Sequence, residues 1–215
     1  MTGLKNLLKQ TALYHMYYDK KYNEFWQRIT DSDNAYRGPI IEKYLPKNAV
    51  GVELGVLKGN FTSVLFNRLS PKELHVIDPW YLLSAEWDWK MDYPSTIDAL
   101  CDVLKRFKKE IEEKRIVVHV QDDLKALKEF PDNYFDWVYL DSSHHYEHTV
   151  AELELLRYKV KPEGIISGDD WRSDSSHIHH GVYKAVNEFM VKYDYKLIYA
   201  DDSSGQWFIV KAKAN

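Results

Sequence analysis

The sequence has little cysteine, no long apolar run and no excess of positive charge. Cys101 is the only cysteine among 215 residues, which excludes a disulfide bond within the chain and is typical of a reducing compartment. No apolar run approaches the ~20 residues that a membrane span requires, and the first residues lack the apolar core of a signal peptide. The formal net charge of -4 disfavours binding to nucleic acids. We therefore expect a cytoplasmic protein with neither a membrane nor a nucleic acid as partner.

The beginning of the chain differs in pattern from the rest. Leucines recur at helical spacing from Leu4 onward, and a second helical segment stops at Pro46. We predict a helical N-terminal extension over residues 1–45, which serves either as a lid over a ligand or as an interface, for example in a homodimer. No repeat or flexible linker divides residues 46–215, which we expect to form one domain.

The remainder alternates short apolar runs with helical periods, a pattern typical of a parallel sheet with crossover helices. Near the end, residues 195–200 and 206–211 read as two strands whose connecting loop is too short for a parallel crossover. We therefore predict an α/β fold with a seven-stranded, mostly parallel sheet whose last strand is antiparallel. The first five predicted strands span residues 49–54, 74–77, 116–120, 137–140 and 164–167.

A glycine-rich turn follows the first predicted strand. The strand ends at Glu53, the turn contains Gly55 and Gly59, and a helix begins near Asn60. Glycines allow a ligand to approach the backbone closely, and a helix N-terminus attracts anionic groups. The spacing fits neither the dinucleotide fingerprint nor a phosphate-binding P-loop. An ordinary turn between strand and helix is the alternative.

The second predicted strand ends in an acidic residue, Asp78, just before Pro79. An acid at this position, one strand–helix–strand unit after a glycine-rich turn, is where the hydroxyls of an adenosine ribose are bound. The alternative is a carboxylate that caps the turn before Pro79.

These motifs, E-L-G-x-x-x-G and I-D-P-W, resemble those of class I S-adenosylmethionine-dependent methyltransferases, and the resemblance extends over residues 49–211. It implies a Rossmann-like methyltransferase fold and S-adenosylmethionine as cofactor. It also implies that Asp78 holds the ribose and that Asp122 contacts the adenine, although Gln121 and Phe61 depart from the usual pattern. The remaining cofactor contacts expected from the resemblance are Glu53, Gly55, Gly59, Thr62 and Asp141.

Three further acidic residues follow the fourth and fifth predicted strands, namely Asp141, Asp169 and Asp170. Because the carboxyl ends of neighbouring parallel strands lie close together, we expect these carboxylates to converge. Clustered carboxylates repel one another unless they are protonated, paired or bound to a cation, and oxygen ligands favour Mg²⁺, Mn²⁺ or Ca²⁺. We predict that these carboxylates bind a divalent cation, with Mg²⁺ as the expected ion. The alternative is that one of the three points away as a helix cap or loop acid.

The segment D-S-S-H-H-Y-E, which begins at Asp141, is similar to divalent-metal-dependent O-methyltransferases, in particular the branch that modifies sugars and macrolides. The catechol branch has a lysine base where this chain has His144. The resemblance therefore implies that His144, with Asp141, forms the catalytic apparatus. A neutral imidazole is a suitable proton acceptor near pH 7. The alternative is a histidine at a helix start that bonds only to backbone.

Two other segments attract attention without a defined role. The loop that contains His177, His179 and His180 is expected to be polar, exposed and near the substrate, and His177 or His179 is an alternative base. The segment 81–94 is rich in tryptophan, which suits stacking against a sugar or an aromatic ring. Coverage of the core or of a dimer contact is the competing explanation for these tryptophans.

Together these features predict a Mg²⁺-dependent O-methyltransferase that acts on a hydroxyl of a sugar-containing or other small natural-product acceptor. A metal-independent O- or N-methyltransferase of the same fold is the first alternative. The second is a non-catalytic nucleotide-binding subunit.

Overall fold

A computed structural model describes residues 12–81 and 96–212. Seven strands form one sheet of order β3-β2-β1-β4-β5-β7-β6. The adjacent pairs among the first five strands are parallel, and β7 is antiparallel to both β5 and β6. The predicted fold class is confirmed. The strands are β1 (Val50–Leu54), β2 (Glu73–Asp78), β3 (Ile116–Val120), β4 (Phe135–Leu140), β5 (Val160–Gly168), β6 (Tyr195–Ala200) and β7 (Trp207–Lys211).

Eight helices occur within the two described ranges, and most connect consecutive strands. Between β2 and β3 the helical segment from Thr96 to Glu112 is divided into two helices at Phe107, whose ring lies against Gly59. The helices are α1 (Ala12–Tyr36), α2 (Gly38–Tyr44), α3 (Asn60–Leu69), α4 (Thr96–Arg106), α5 (Lys108–Glu112), α6 (Asp123–Glu129), α7 (Tyr146–Lys159) and α8 (His180–Tyr193).

Strand β5 begins earlier than the sequence pattern predicts. Helix α7 ends at Lys159, and Val160 is already extended and paired with Phe135 of β4. The register then shifts so that Trp137 pairs with Ile165, which leaves extra residues on β5. Pro162 lies in this irregular part, where a residue without an N–H donor is tolerated in a sheet.

Alternation along the strands divides the core between the two faces of the sheet. On β4, Trp137 and Tyr139 belong to the cluster that α2, α3 and α4 cover, whereas Val138 and Leu140 belong to the cluster beneath α6, α7 and α8. Both faces are therefore apolar and covered, as a parallel sheet requires. Polar residues that could bind a ligand are therefore expected in the loops at the strand ends.

The described part of the N-terminal extension consists of α1 and α2, which pack on α3. The predicted leucine pattern that begins at Leu4 lies outside the described residues, as does most of the tryptophan-rich segment 81–94. Within the described ranges, none of the helices combines the length and the apolarity that crossing a bilayer takes.

Candidate active site

The glycine-rich turn lies directly against the loop that follows β4. Gly55 has φ of +82°, and a Cβ at this position would lie 2.0 Å from the carbonyl oxygen of Asp141. Gly59 also has a positive φ and caps the N-terminus of α3. Both glycines are therefore required by the backbone, and the turn brings Asp141 next to the expected cofactor site.

Asp78 holds the glycine-rich turn with one oxygen and leaves the other available. Its Oδ2 accepts hydrogen bonds from the backbone N–H groups of Val56 and Leu57, both at 2.9 Å. Its Oδ1 is buried and has no hydrogen-bond partner among the described residues. Burial raises the pKa of Asp78 to about 6, and the two backbone N–H groups oppose that rise. A ribose hydroxyl is the kind of donor that would satisfy Oδ1, so the residues fit the expected cofactor.

Glu53 and Thr62 form a buried pair beside this turn. The Thr62 hydroxyl donates to Glu53 Oε2, and neither residue is more than 1% exposed. Burial raises the pKa of Glu53 well above its usual range, although the Thr62 hydroxyl opposes the rise. The Thr62 hydroxyl is thus hydrogen-bonded to Glu53, and this bond links β1 to the helix that follows the turn.

Asp122 lies at the turn after β3, where the adenine contact is expected, and acts there as the N-cap of α6. Its Oδ1 accepts from the Lys125 N–H at 3.1 Å. The neighbouring Asp123 is buried, and both of its oxygens lie 2.9 Å from Nε2 of His148. The helix cap accounts for the carboxylate of Asp122, and its contact with adenine stays a prediction.

The structure brings the three predicted metal ligands together. One carboxylate oxygen from each of Asp141, Asp169 and Asp170 lies within 4.8 Å of the other two. Burial, followed by repulsion from Asp169, raises the pKa of Asp141 to about 7. Asp141 therefore holds a proton more readily than a free aspartate does, at the edge of the sheet where β4 and β5 end.

Arg37, which follows α1, reaches into this carboxylate cluster. Its Nη2 lies 3.0 Å from Asp169 Oδ2 and 3.8 Å from Asp141 Oδ2. Its guanidinium carbon lies 3.9 Å from the centre of the Phe61 ring, and it donates to the Tyr139 hydroxyl. Sequence patterns gave no signal for Arg37, because its position in a helical extension does not say where its side chain packs.

Two further buried residues complete the surroundings of Asp169. The Tyr139 hydroxyl donates to Gln206 Oε1 at 2.7 Å, and Gln206 Nε2 donates to Asp169 Oδ1 at 2.9 Å. Each oxygen of Asp169 thus has a partner, Gln206 on one side and Arg37 on the other. Neither Tyr139 nor Gln206 was predicted, because both belong to strands or turns that read as core.

Asp170 lies between two histidines. Nδ1 of His144 is 2.7 Å from Asp170 Oδ2, and Nδ1 of His179 is 2.9 Å from Asp170 Oδ1. The two rings are stacked, with centroids 4.7 Å apart. Burial lowers the pKa of His144, but the hydrogen bond to Asp170 and the charge of Asp141 outweigh it and raise the pKa. His144 and Asp170 both have positive φ, near 60°, which is strained for residues with a Cβ and is concentrated at functional sites.

The expected exposed histidine loop is exposed only in part. His177 is exposed, whereas His179 contacts Asp170 and Nδ1 of His180 lies 2.9 Å from the carbonyl oxygen of Arg172. The reason is that the loop folds back toward the end of β5 before α8 begins.

A buried acidic residue supports the loop that carries Asp141 and His144. Glu152 of α7 is fully buried and accepts from the Ser142 hydroxyl at 2.6 Å. Burial and the nearby Asp123 raise the pKa of Glu152 well above its usual range. Glu152 therefore connects α7 to the backbone on which the candidate catalytic residues lie.

The sequence profile of a family described as "methyltransferase domain" matches residues 52–171, which is more than half of the chain. The chain belongs to this family. The matched region contains the glycine-rich turn, Asp78 and the three clustered carboxylates. The protein is thus a class I S-adenosylmethionine-dependent methyltransferase, and the alternative of a non-catalytic subunit is not supported.

Solved structures share the fold of this methyltransferase at low sequence identity. An S-adenosylmethionine-dependent methyltransferase from Aquifex aeolicus has 14% identity and a TM-score of 0.57, over 86% of this chain and 95% of that one. A Streptococcus mutans protein described as a methyltransferase, in complex with SAH, has 12% identity and a TM-score of 0.52, over 80% and 93%.

The tRNA methyltransferase TrmK of Bacillus subtilis has 12% identity and a TM-score of 0.53, over 81% of this chain and 63% of that one. No curated protein matches the chain. These similarities establish the fold, and the acceptor of this methyltransferase has to be argued from its own site.

Proposed function

We propose that this methyltransferase transfers a methyl group from S-adenosylmethionine to a hydroxyl oxygen of a small, sugar-containing or other natural-product acceptor with the help of a divalent cation. The observation that carries the proposal is the meeting of three carboxylates with His144 beside the glycine-rich turn. S-adenosylmethionine supplies a methyl group on an electrophilic sulfur, so the protein has to orient the two substrates and activate the oxygen.

Asp141, Asp169 and Asp170 are the residues that would hold the cation. Three carboxylates without a cysteine suit Mg²⁺ or Mn²⁺, and a bound cation would relieve the repulsion between Asp141 and Asp169. When bound, a divalent cation supplies positive charge that lowers the pKa of a nearby hydroxyl.

His144 is proposed as the base that accepts the proton of the acceptor hydroxyl. Asp170 fixes the orientation of its ring through Nδ1 and favours the positively charged imidazole that forms on proton uptake. Asp141, next to Gly55, is proposed to border both the cofactor and the acceptor. Asp78 Oδ1 is proposed to accept from the ribose, while Glu53, Gly59 and Thr62 keep the turn in shape.

A two-part experiment tests this function. Release of S-adenosylhomocysteine is measured with a panel of sugar and phenolic hydroxyl acceptors, first with Mg²⁺, then with excess chelator, then with Mg²⁺ restored. We expect loss and recovery of turnover. Asp169→Asn should abolish turnover and leave the calorimetric affinity for S-adenosylhomocysteine nearly unchanged. Full turnover of this variant would contradict the proposed role of the carboxylates.

A metal-independent O- or N-methyltransferase is the second candidate, and Arg37 is the observation that favours it. A guanidinium 3.0 Å from Asp169 Oδ2 already brings positive charge to the cluster. In this case His144 or Asp141 alone accepts the proton. Turnover that is unchanged in excess chelator would support this candidate and exclude the first.

The N-terminal extension is proposed to act as a lid over the acceptor site. Arg37 contacts the carboxylate cluster, and the Tyr36 hydroxyl lies 2.8 Å from Ser203 Oγ in the loop between β6 and β7. Both contacts support a position beside the strand ends. The alternative role of residues 1–45 as a homodimer interface stays a prediction, as does the cytoplasmic location.

A further inference from the structure

Arg37 and the proposed cation would share the same carboxylate oxygens. The guanidinium lies beside Asp169 Oδ2 and Asp141 Oδ2, and these two residues supply two of the three oxygens that the cation would need. The side chain of Arg37 is only 13% exposed. Its charge therefore acts on the cluster at short range and with little screening by solvent.

Not every hydrogen-bond donor of Arg37 is satisfied by the rest of the protein. Its Nε–H is buried and has no hydrogen-bond partner among the described residues. Its contact with Asp33, four residues earlier on α1, is long at 3.4 Å. A buried donor without a partner makes this position of the guanidinium less favourable than its ion pairs alone suggest. The side chain can thus give way to a stronger cation.

We propose that Arg37 is a tethered cation that opposes binding of the divalent ion at Asp141 and Asp169. This inference rests on the proposed function, because it concerns the same carboxylates. A divalent ion that is coordinated by these oxygens carries two positive charges within a few ångströms of the guanidinium, and the two cations repel each other strongly in a partly buried site. Arg37 also orients Asp169, but Gln206 holds the other oxygen of that carboxylate, so repulsion is the larger effect.

The antagonism is reciprocal, because two ligands of one site affect each other equally. A divalent ion at the carboxylates weakens the hold of Arg37, and Arg37 lies between α1 and α2. The ion therefore loosens the junction of the two helices that are proposed to form the lid. Ion binding and the position of residues 33–44 become coupled through one side chain.

The direct test is the affinity of the full chain for Mn²⁺, measured by electron paramagnetic resonance of the unbound ion. We expect Arg37→Gln to lower the Kd by ~10-fold or more, since it removes the repulsion and keeps a polar side chain. Arg68→Gln is the matched control. Arg68 contacts Asn34 and Glu42 of the same extension and belongs to α3, away from the cluster, so its Kd should equal that of the unchanged protein. An unchanged or raised Kd in Arg37→Gln would overturn the inference.

A second measurement needs no substitution and decides the matter if Arg37→Gln does not fold. Hydrogen exchange of the unchanged protein is followed with and without saturating Mn²⁺. We expect faster exchange of the amides of residues 33–44 when Mn²⁺ is present. Exchange in this segment that is equal or slower with Mn²⁺ would show that Arg37 stays in place, and the inference would be wrong.

Asp141→Asn in the same Mn²⁺ titration separates this inference from the proposed function. If Asp141→Asn abolishes Mn²⁺ binding while Arg37→Gln leaves the Kd unchanged, the cation site is supported and only the antagonism fails. If Mn²⁺ binding survives Asp141→Asn and Asp169→Asn, the ion is held elsewhere. In that case the proposed cation site and the inference fail together.

Discussion

Two pairs of histidines, each beside a carboxylate, occupy different parts of this methyltransferase and have opposite electrostatic character. His144 and His179 stack on either side of Asp170 at the carboxyl edge of the sheet. His75 and His119 lie side by side on β2 and β3, with Nδ1 of the first 2.9 Å from Nε2 of the second. The pKa of His144 is raised, whereas burial lowers the pKa of His75 to about 4.

The difference follows from the neighbours of each pair. Burial favours the neutral imidazole in both places. At the strand ends, the hydrogen bond to Asp170 and the charges of the other two aspartates outweigh burial. On the sheet, a single carboxylate, Glu73, opposes it, and His75 is surrounded by the rings of Phe130, Tyr134 and Phe135. In this protein, the histidine with several carboxylates nearby has a raised pKa, whereas the buried histidine with one carboxylate nearby has a lowered pKa.

Replacement of one histidine from each pair gives the largest contrast in activity. We expect His144→Ala to lower the rate of S-adenosylhomocysteine release by about 10²–10⁴-fold, because a general base is lost. His75→Phe keeps the aromatic packing and should leave the rate within about twofold, since His75 lies within β2 and not among the residues at the carboxyl edge of the sheet. The rates are compared at saturating acceptor, with calorimetric binding of S-adenosylhomocysteine as the control for folding. Equal rates for both variants would remove His144 from the mechanism.

His75 should contribute measurably to the dependence of stability on pH. The pKa of His75 falls from 6.5 in the unfolded chain to about 4 in the fold. Its contribution is therefore complete above pH 6.5 and is lost as the pH falls toward 4, because the unfolded chain binds the proton more tightly. Buried carboxyl groups with raised pKa values, such as Asp78, change stability in the opposite direction over this interval, so urea unfolding at several pH values has to compare the unchanged protein with His75→Phe. The difference between their free energies of unfolding should change by about 3 kcal/mol between pH 6.5 and 4. A difference that does not vary with pH would contradict the assignment.

Replacement of His179 should lower the rate less than replacement of His144. We expect His179→Ala to lower the rate about tenfold, because Asp170 loses one of its two imidazole partners and holds His144 less firmly. His179→Gln retains a donor for Asp170 and should recover most of the rate. The same release assay measures both. A rate as low as that of His144→Ala would instead make His179 the base, which is the alternative that the sequence left open.

The smallest expected effect concerns Glu73, the carboxylate beside His75. Tyr134 donates from its hydroxyl to Glu73 Oε1 at 2.9 Å, so Tyr134→Phe should reduce the free energy of unfolding by about 1 kcal/mol. Tyr158→Phe, at an exposed position, is the control and should change stability by less than about 0.5 kcal/mol. If both variants behave alike, the hydrogen bond between Tyr134 and Glu73 does not stabilise the pair.

The sequence predicts the sheet because its rules are local. Alternating apolar runs give the strands, and the short loop before β7 requires an antiparallel neighbour. The approach of Asp141 to Asp169 and Asp170 also follows from such rules, because parallel strands end at one edge. The lengths of the strands are harder to predict. At β5, residues around Pro162 stay in the sheet as an irregular segment.

The contacts of the site that escape prediction join distant parts of the chain. Arg37 lies in an extension whose packing against α3 has no sequence code, and Gln206 is separated from Asp169 by a helix and a strand. The hydroxyl of Thr62 and the carboxylate of Asp122 were expected at the cofactor. Both have partners within the protein, namely Glu53 and the Lys125 N–H. Local motifs identify which residue types can form a site. Which hydrogen-bond partner each of these side chains takes depends on the three-dimensional packing, which the motifs do not contain.

The close approach of Gly55 to the Asp141 carbonyl has a mechanical consequence. No side chain separates the turn after β1 from the loop after β4, so neither can shift without pushing the other. The glycine-rich turn and the loop after β4, beside which both substrates would meet, therefore form one rigid unit. Entry and exit of substrates then depend on movement of segments outside this unit.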